Sequence, residues 1–154
     1  MKFTISQALK DAISAQKNGN MQETDRLYTA ILKVQPKHPE ANHNMGVLAV
    51  DIGKVSDSIP FFKVALDSNP NVSQFWFSYT GALIKLNRFV EAEKSLNQAK
   101  LDKKIRLKPD YVDCLNNLGK RLLDISQVEE AIKILSQVVV IDPHHFFGLY
   151  NIAI

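Results

Sequence analysis

Asparagine is the side chain whose type and spacing in this sequence point most directly to a chemistry. Lys10, Asn44, Ser78, Asn117 and Asn151 form a series, and three of its five members are asparagine. Its steps share one period, apart from a longer step between Ser78 and Asn117. An amide carries both a donor and an acceptor, as a peptide unit does, so a row of amides can hold a main chain without reading its side chains. A net hydrogen bond contributes about 0.5–1.5 kcal/mol. About six such bonds give roughly millimolar to micromolar binding, and side-chain pockets would have to supply more. The alternative is that the asparagines of the segments HNMG and NNLG are simply solvated.

Other reactive side chains form no recognisable set. His38, His43, His144 and His145 draw attention as ligands, but His144 and His145 are adjacent and do not share a helix face, and no carboxylate or thiol stands at a ligand spacing beside them. The cluster Lys100, Lys103, Lys104, Arg106 and Lys108 reads as a solvated helix surface. Cys114 is the single cysteine, so it forms no internal disulfide and no cysteine-based zinc site. Ser–His–Asp sets, phosphate loops and paired carboxylates with a mechanistic context are missing. The expectation is therefore a protein that is not an enzyme, with no catalytic residue, no metal and no cofactor.

The elements that would position the amides follow from composition and period. The chain has 154 residues, is 45% hydrophobic and 23% charged, and has a net charge of +3. That suits a globular domain and not a disordered segment. The mild charge lacks the concentrated basic footprint of a nucleic-acid binder. No stretch approaches the roughly 20 apolar residues of a membrane span. Asp11 and scattered polar residues break the apolar run at the start, which argues against a signal peptide. A lone thiol fits a reducing, cytoplasmic compartment.

Pro36, Pro70, Pro109 and Pro143 recur at one spacing, with a longer step between Pro70 and Pro109. Ala12, Gly46, Thr80, Gly119 and Ala153 recur at the same spacing, with the longer step between Thr80 and Gly119. Two series share one period and one five-residue irregularity, which marks an internal repeat. Within a repeat, Trp76, Tyr79, Thr80 and Leu83 share one helix face, and Ala92, Leu96 and Ala99 share a face of the next helix. Gly19, Gly53 and Asn87 fall at the turn between the two helices, where a left-handed residue is often needed. The prolines are expected to stop each second helix. Pro60 is expected at the fourth helical position behind a Ser56 N-cap. The irregularity between Ala99 and Pro109 is expected to lengthen the second helix by about 7.5 Å, with a bulged loop as the alternative. The run Ile132–Ile141 is strand-like in composition, but its register predicts helix.

These residues resemble the tetratricopeptide repeat (TPR), a helix–turn–helix unit whose length of about 34 residues equals the period. Met45, Gly46, Ala49, Phe62, Ala65 and Pro70 match its pattern, as do Leu115, Leu118, Gly119, Leu122, Ala131, Leu135 and Val138. The resemblance implies an all-α fold, a right-handed α-solenoid of antiparallel helix pairs. It implies a single domain over 1–154, with repeats at about 5–38, 39–72, 73–111 and 112–145 and a partial fifth at 146–154.

The resemblance also implies that the first helix of each pair lines a concave face. There the asparagine series is similar to the ladder of O-linked N-acetylglucosamine transferases and bacterial proteins like them, in which successive amides hold an extended peptide. The peptide-binding candidates are Asn44, Asn117, Asn151, Lys10, Ser78, Phe77, Lys85 and Lys120. The carboxylate clamp of other TPR proteins is matched at Lys10 and Asn44 and departed from at Ile13 and Ser78. The expected partner is a protein or peptide, with no nucleic acid and no membrane insertion. Phe146, Phe147, Leu149, Tyr150, Ile152 and Ile154 lack a covering helix in the sequence, so they are candidates for a homodimer interface or for the joint to a longer chain. Two alternatives to a binding module stand: the recognition arm of a larger transferase, and a self-assembling scaffold.

Overall fold

The computed structural model describes residues 4–106 and 108–144. Among them the chain forms nine helices and no strand: α1 (Ile5–Lys17), α2 (Met21–Val34), α3 (Pro39–Asp51), α4 (Val55–Ser68), α5 (Ser73–Lys85), α6 (Phe89–Ala99), α7 (Lys103–Arg106), α8 (Pro109–Asp124) and α9 (Val128–Ile141). They fall into two compact units, one ending at Ser78 and one starting at Tyr79. The all-α helix-pair expectation holds. The strand-like run Ile132–Ile141 lies in α9, where repeat register outweighs β-branched composition.

In the first unit α1 packs on α2, α2 on α3, and α3 on α4. In the second α8 packs on α9 and α6 on α8. One interlock recurs. Thr24, Ser58, Ala92 and Ala131 are buried at one register position of the second helices. Tyr28, Phe62, Leu96 and Leu135 follow four residues on, then Ile31, Ala65, Ala99 and Val138. The large member of each set needs a small residue on the facing helix. A Cβ on Gly46 would meet the Phe62 ring at 2.6 Å, and one on Gly119 would meet Leu135 at 2.5 Å. Where Thr80 takes that place, its hydroxyl instead bonds Ser95 Oγ at 2.8 Å. Each large side chain so buried contributes about 1.5–3 kcal/mol.

The turns hold the register. Gly19, Gly53 and Asn87 have φ of 72°, 80° and 56°, as expected, and Ser126 takes the same conformation at 63°. Between repeats, the Asn42 amide donates to the Pro36 carbonyl at 2.9 Å, and the Trp76 indole donates to the Pro70 carbonyl at 2.7 Å. Those two side chains stand one period apart and perform one task with different chemistry.

Three expectations need correction. The helix carrying Pro60 begins at Val55 behind Lys54, so Pro60 is its sixth residue and falls outside the first turn. The ring removes the bond that Ser56 C=O would have accepted. Ser56 and Pro60 are both exposed, so that carbonyl faces solvent and the helix continues. The five extra residues do not lengthen α6, which at 11 residues is shorter than the 14 of α2, α4 and α9. Five residues added to a helix rotate everything beyond them by about 140° relative to the core. The chain instead turns at Lys100–Asp102 and makes the one-turn helix α7. Asp102 Oδ1 accepts from the Lys104 N–H at 2.8 Å, and Ile105 is buried. Pro109 consequently stops no second helix; it opens α8 at the first helical position, where its missing N–H costs nothing.

Candidate functional site

The first unit brings Asn44 and Ser78 together through a residue that the sequence did not single out for this role. His43 Nδ1 lies 3.1 Å from Asn44 Oδ1, and His43 Nε2 lies 2.9 Å from Ser78 Oγ on α5. An amide oxygen only accepts, so Nδ1 carries the proton and Nε2 accepts from the Ser78 hydroxyl. Gln74 Nε2 donates to the same hydroxyl at 3.4 Å. The imidazole is 8% exposed, stacks on Phe75 at a centroid distance of 4.8 Å and tilts against Phe62 at 5.7 Å. Burial lowers its pKa below the usual 6.5, against the opposing pull of the Asn44 bond and the Glu40 charge. The amide of Asn44 also acts on the Tyr28 phenol, which donates to Gln16 Oε1 at 3.0 Å.

A serine, a histidine and an amide in hydrogen-bonded sequence have the connectivity of a nucleophile with its base. Two observations argue against that chemistry. Burial weakens His43 as a base. Ser78 lies in the middle of α5, where backbone N–H groups serve the helix and cannot stabilise an oxyanion. The arrangement is a polar brace between α3 and α5.

The remaining candidates sit differently. Lys10 on α1 is exposed, as are Lys85 on α5 and Lys120 on α8. Asn117 on α8 is exposed. Phe77 is 6% exposed, its ring packed in the interior, as is Ile84. Asn151 lies outside the described residues, and so do Phe146, Phe147, Leu149, Tyr150, Ile152 and Ile154.

His38 serves as the N-cap of α3, its Nδ1 accepting from the Ala41 N–H at 3.2 Å. His144 is exposed. No group of three His, Cys, Asp or Glu side chains that could hold a metal occurs among the described residues. Cys114 is half-buried, and burial first, then the charges of Asp110 and Asp113, push its thiol up to about 12. It stays protonated and is a poor nucleophile. No helix among the described residues is long and apolar enough to cross a membrane.

The His43 bridge was hard to find from sequence. His43 and Ser78 are separated by one position more than the period, so they hold neighbouring and not equivalent register positions. The only available signal was geometric: in stacked repeats, such positions on successive first helices can meet.

No family profile matches the chain. Over 130 residues it is 28% identical to the protein O-mannosyl-transferase Tmtc3 of Drosophila melanogaster, covering 84% of this chain and 13% of that protein's length. Among solved structures, a MamA protein superposes with a TM-score of 0.79 at 18% identity, covering 96% of this chain and 78% of its own. YrrB, described as a TPR protein with an unusual peptide-binding site, superposes with a TM-score of 0.72 at 17% identity, covering 94% and 72%. With the repeated interlock of Gly46 on Phe62 and Gly119 on Leu135, these likenesses establish that the chain has the tetratricopeptide-repeat fold.

Proposed function

We propose that the chain is a protein-interaction module that takes an extended peptide along the first helices of its repeats. We read those repeats as one array with boundaries near 38, 72 and 111 and a partial fifth from Phe146. The observation that supports the reading is Asn117: an amide on a first helix, exposed, beside the exposed cation Lys120. Such a pair suits a peptide main chain with a nearby acidic side chain. Lys10 and Lys85 are exposed on other first helices and suit the same ligand. The peptide-binding site named for YrrB, a protein of the same fold, is consistent with this use.

The test is an array of immobilised extended heptapeptides probed with the full chain and with Asn117→Ala. The variant should lose most peptide signals together, independently of peptide sequence, while keeping its helical circular dichroism. Retention of all signals would sink the role of Asn117.

A second reading has its own support. The likeness to Tmtc3 covers a small part of a transferase, so the array could serve as the recognition arm of a larger enzyme. A transferase domain encoded in the same reading frame would favour it. A scaffold paired through Phe146–Ile154 is the third, and light scattering across concentration tests it.

A further inference from the structure

The five residues that break the period leave a cavity of about 340 Å³ in the second unit. Its origin is physical. α6 ends at Ala99, about one turn shorter than the other second helices, and the chain turns at Lys100–Asp102 before α7 begins. Ile105 of α7 fills part of the space and is 3% exposed. The remainder is lined by Lys100, Arg106, Tyr111, Ser136, Gln137, Val140 and Ile141. Tyr111 and Ile141 form apolar walls, and Val140 is 82% exposed at the rim. The volume is at the small end of ligand cavities.

The cavity lies at a dense group of cations. Lys100, Lys103, Lys104, Arg106 and Lys108 fall within nine residues. None of them forms an ion pair among the described residues, as is true of most lysines here, so what marks the group is its density. The nearby carboxylate of Asp102 accepts from the Lys104 backbone N–H. Arg106 lies close enough to Tyr111 for its charge to oppose the rise of the buried phenol's pKa. Two cations therefore line an apolar cavity, and three more are close to them in sequence. Leu101, 83% exposed, adds an apolar residue to the same turn.

We infer that this cavity is a second docking site, separate from the first-helix surface, for an acidic peptide segment that inserts one apolar side chain between α7, α8 and α9 and pairs its flanking carboxylates with Lys100 and Arg106. The apolar anchor accounts for the cavity and for exposed Val140, and the carboxylates suit the cations that line it. Nucleic acid would use the charge and leave the cavity empty. A membrane surface would use the charge and the exposed Leu101 without needing a cavity of side-chain size.

Fluorescence anisotropy with the full chain tests this, using three fluorescein-labelled peptides. The first is Glu-Asp-Leu-Phe-Glu-Asp, the second replaces its Leu-Phe with Ser-Ser, and the third replaces its acids with Lys. Only the first should bind. Arg106→Glu, Val140→Glu and Ser136→Trp should each weaken it by about tenfold or more, while Lys63→Glu, the same charge change on exposed α4, should shift it by less than about twofold. Circular dichroism melts check that each variant folds. Equal binding of the Ser-Ser peptide would overturn the proposal, as would indifference to Val140→Glu and Ser136→Trp, because either outcome reduces the site to diffuse charge. It would also be overturned by no binding at about 1 mM. The same holds if the three variants abolish self-association and leave peptide binding unchanged, or if vesicles of phosphatidylserine retain wild type and Val140→Glu equally. Asn117→Ala should leave this binding within about twofold, so failure here and failure of the first-helix reading are told apart.

Discussion

Asn44 and Asn117 hold the same register position on the first helices of two repeats, and their surroundings differ. Asn44 is half-buried and joined to His43, with Tyr28 close by. Asn117 is exposed on α8. The residue before each also differs: a histidine that reaches Ser78 on α5 at one site, Asn116 at the other. A repeat register therefore specifies where a side chain starts but leaves open whether its polar atoms are free for a ligand. In the first unit the amide's bonding capacity is partly spent on holding α3 to α5.

The comparison can be broken where the two helices are alike. Both carry glycine against a large side chain, so Gly46→Ala and Gly119→Ala should each cost about 1–3 kcal/mol in urea unfolding. A neutral result at either would show that the facing ring or leucine moves aside. The contrast between the amides comes next. Asn44→Ala leaves the buried Nδ1–H of His43 unpaired and should cost about 1–3 kcal/mol, whereas Asn117→Ala should stay within about 0.5 kcal/mol of wild type. Equal effects would remove the distinction. The smallest effect should come from one titrating group. His43 binds its proton less tightly when folded than the usual histidine at 6.5 does. The stability contributed by its neutral form is whole above pH 6.5 and is lost as pH falls through the lowered folded value. The groups facing it are Asn44, Ser78, Phe62 and Phe75, with the charge of Glu40 opposing the shift. Thermal melts between pH 7 and 4 should show this loss, and His43→Phe should flatten it; an unchanged profile would assign it elsewhere.

Much of this fold was legible because the repeat encodes packing redundantly. Thr24, Ser58, Ala92 and Ala131 are buried at one position, and any one of them would have been ambiguous alone. The left-handed turns at Gly19 and Gly53 were legible from residue type, and Ser126, at the same register position, was not, because serine carries no φ signal of its own. The insertion was misread because period counting fixes how many residues are added and not where the helix stops. Asp102, a good cap inside the inserted stretch, was the overlooked sign. The candidate site was legible by position and not by bonding. Phe77 illustrates the limit: its register suggested a ligand contact, and its ring is inside.

The one-turn helix α7 also determines where this chain can change length. Because the turn at Lys100–Asp102 uncouples α6 from α8, residues gained or lost there do not rotate the helices that follow. An insertion within α3 or α4 would throw the Gly46–Phe62 contact out of phase. The segment between Ala99 and Pro109 thus behaves as a splice junction, the place in the second unit where a grafted epitope or an evolutionary insertion can be accepted while α8 and α9 keep their packing on each other.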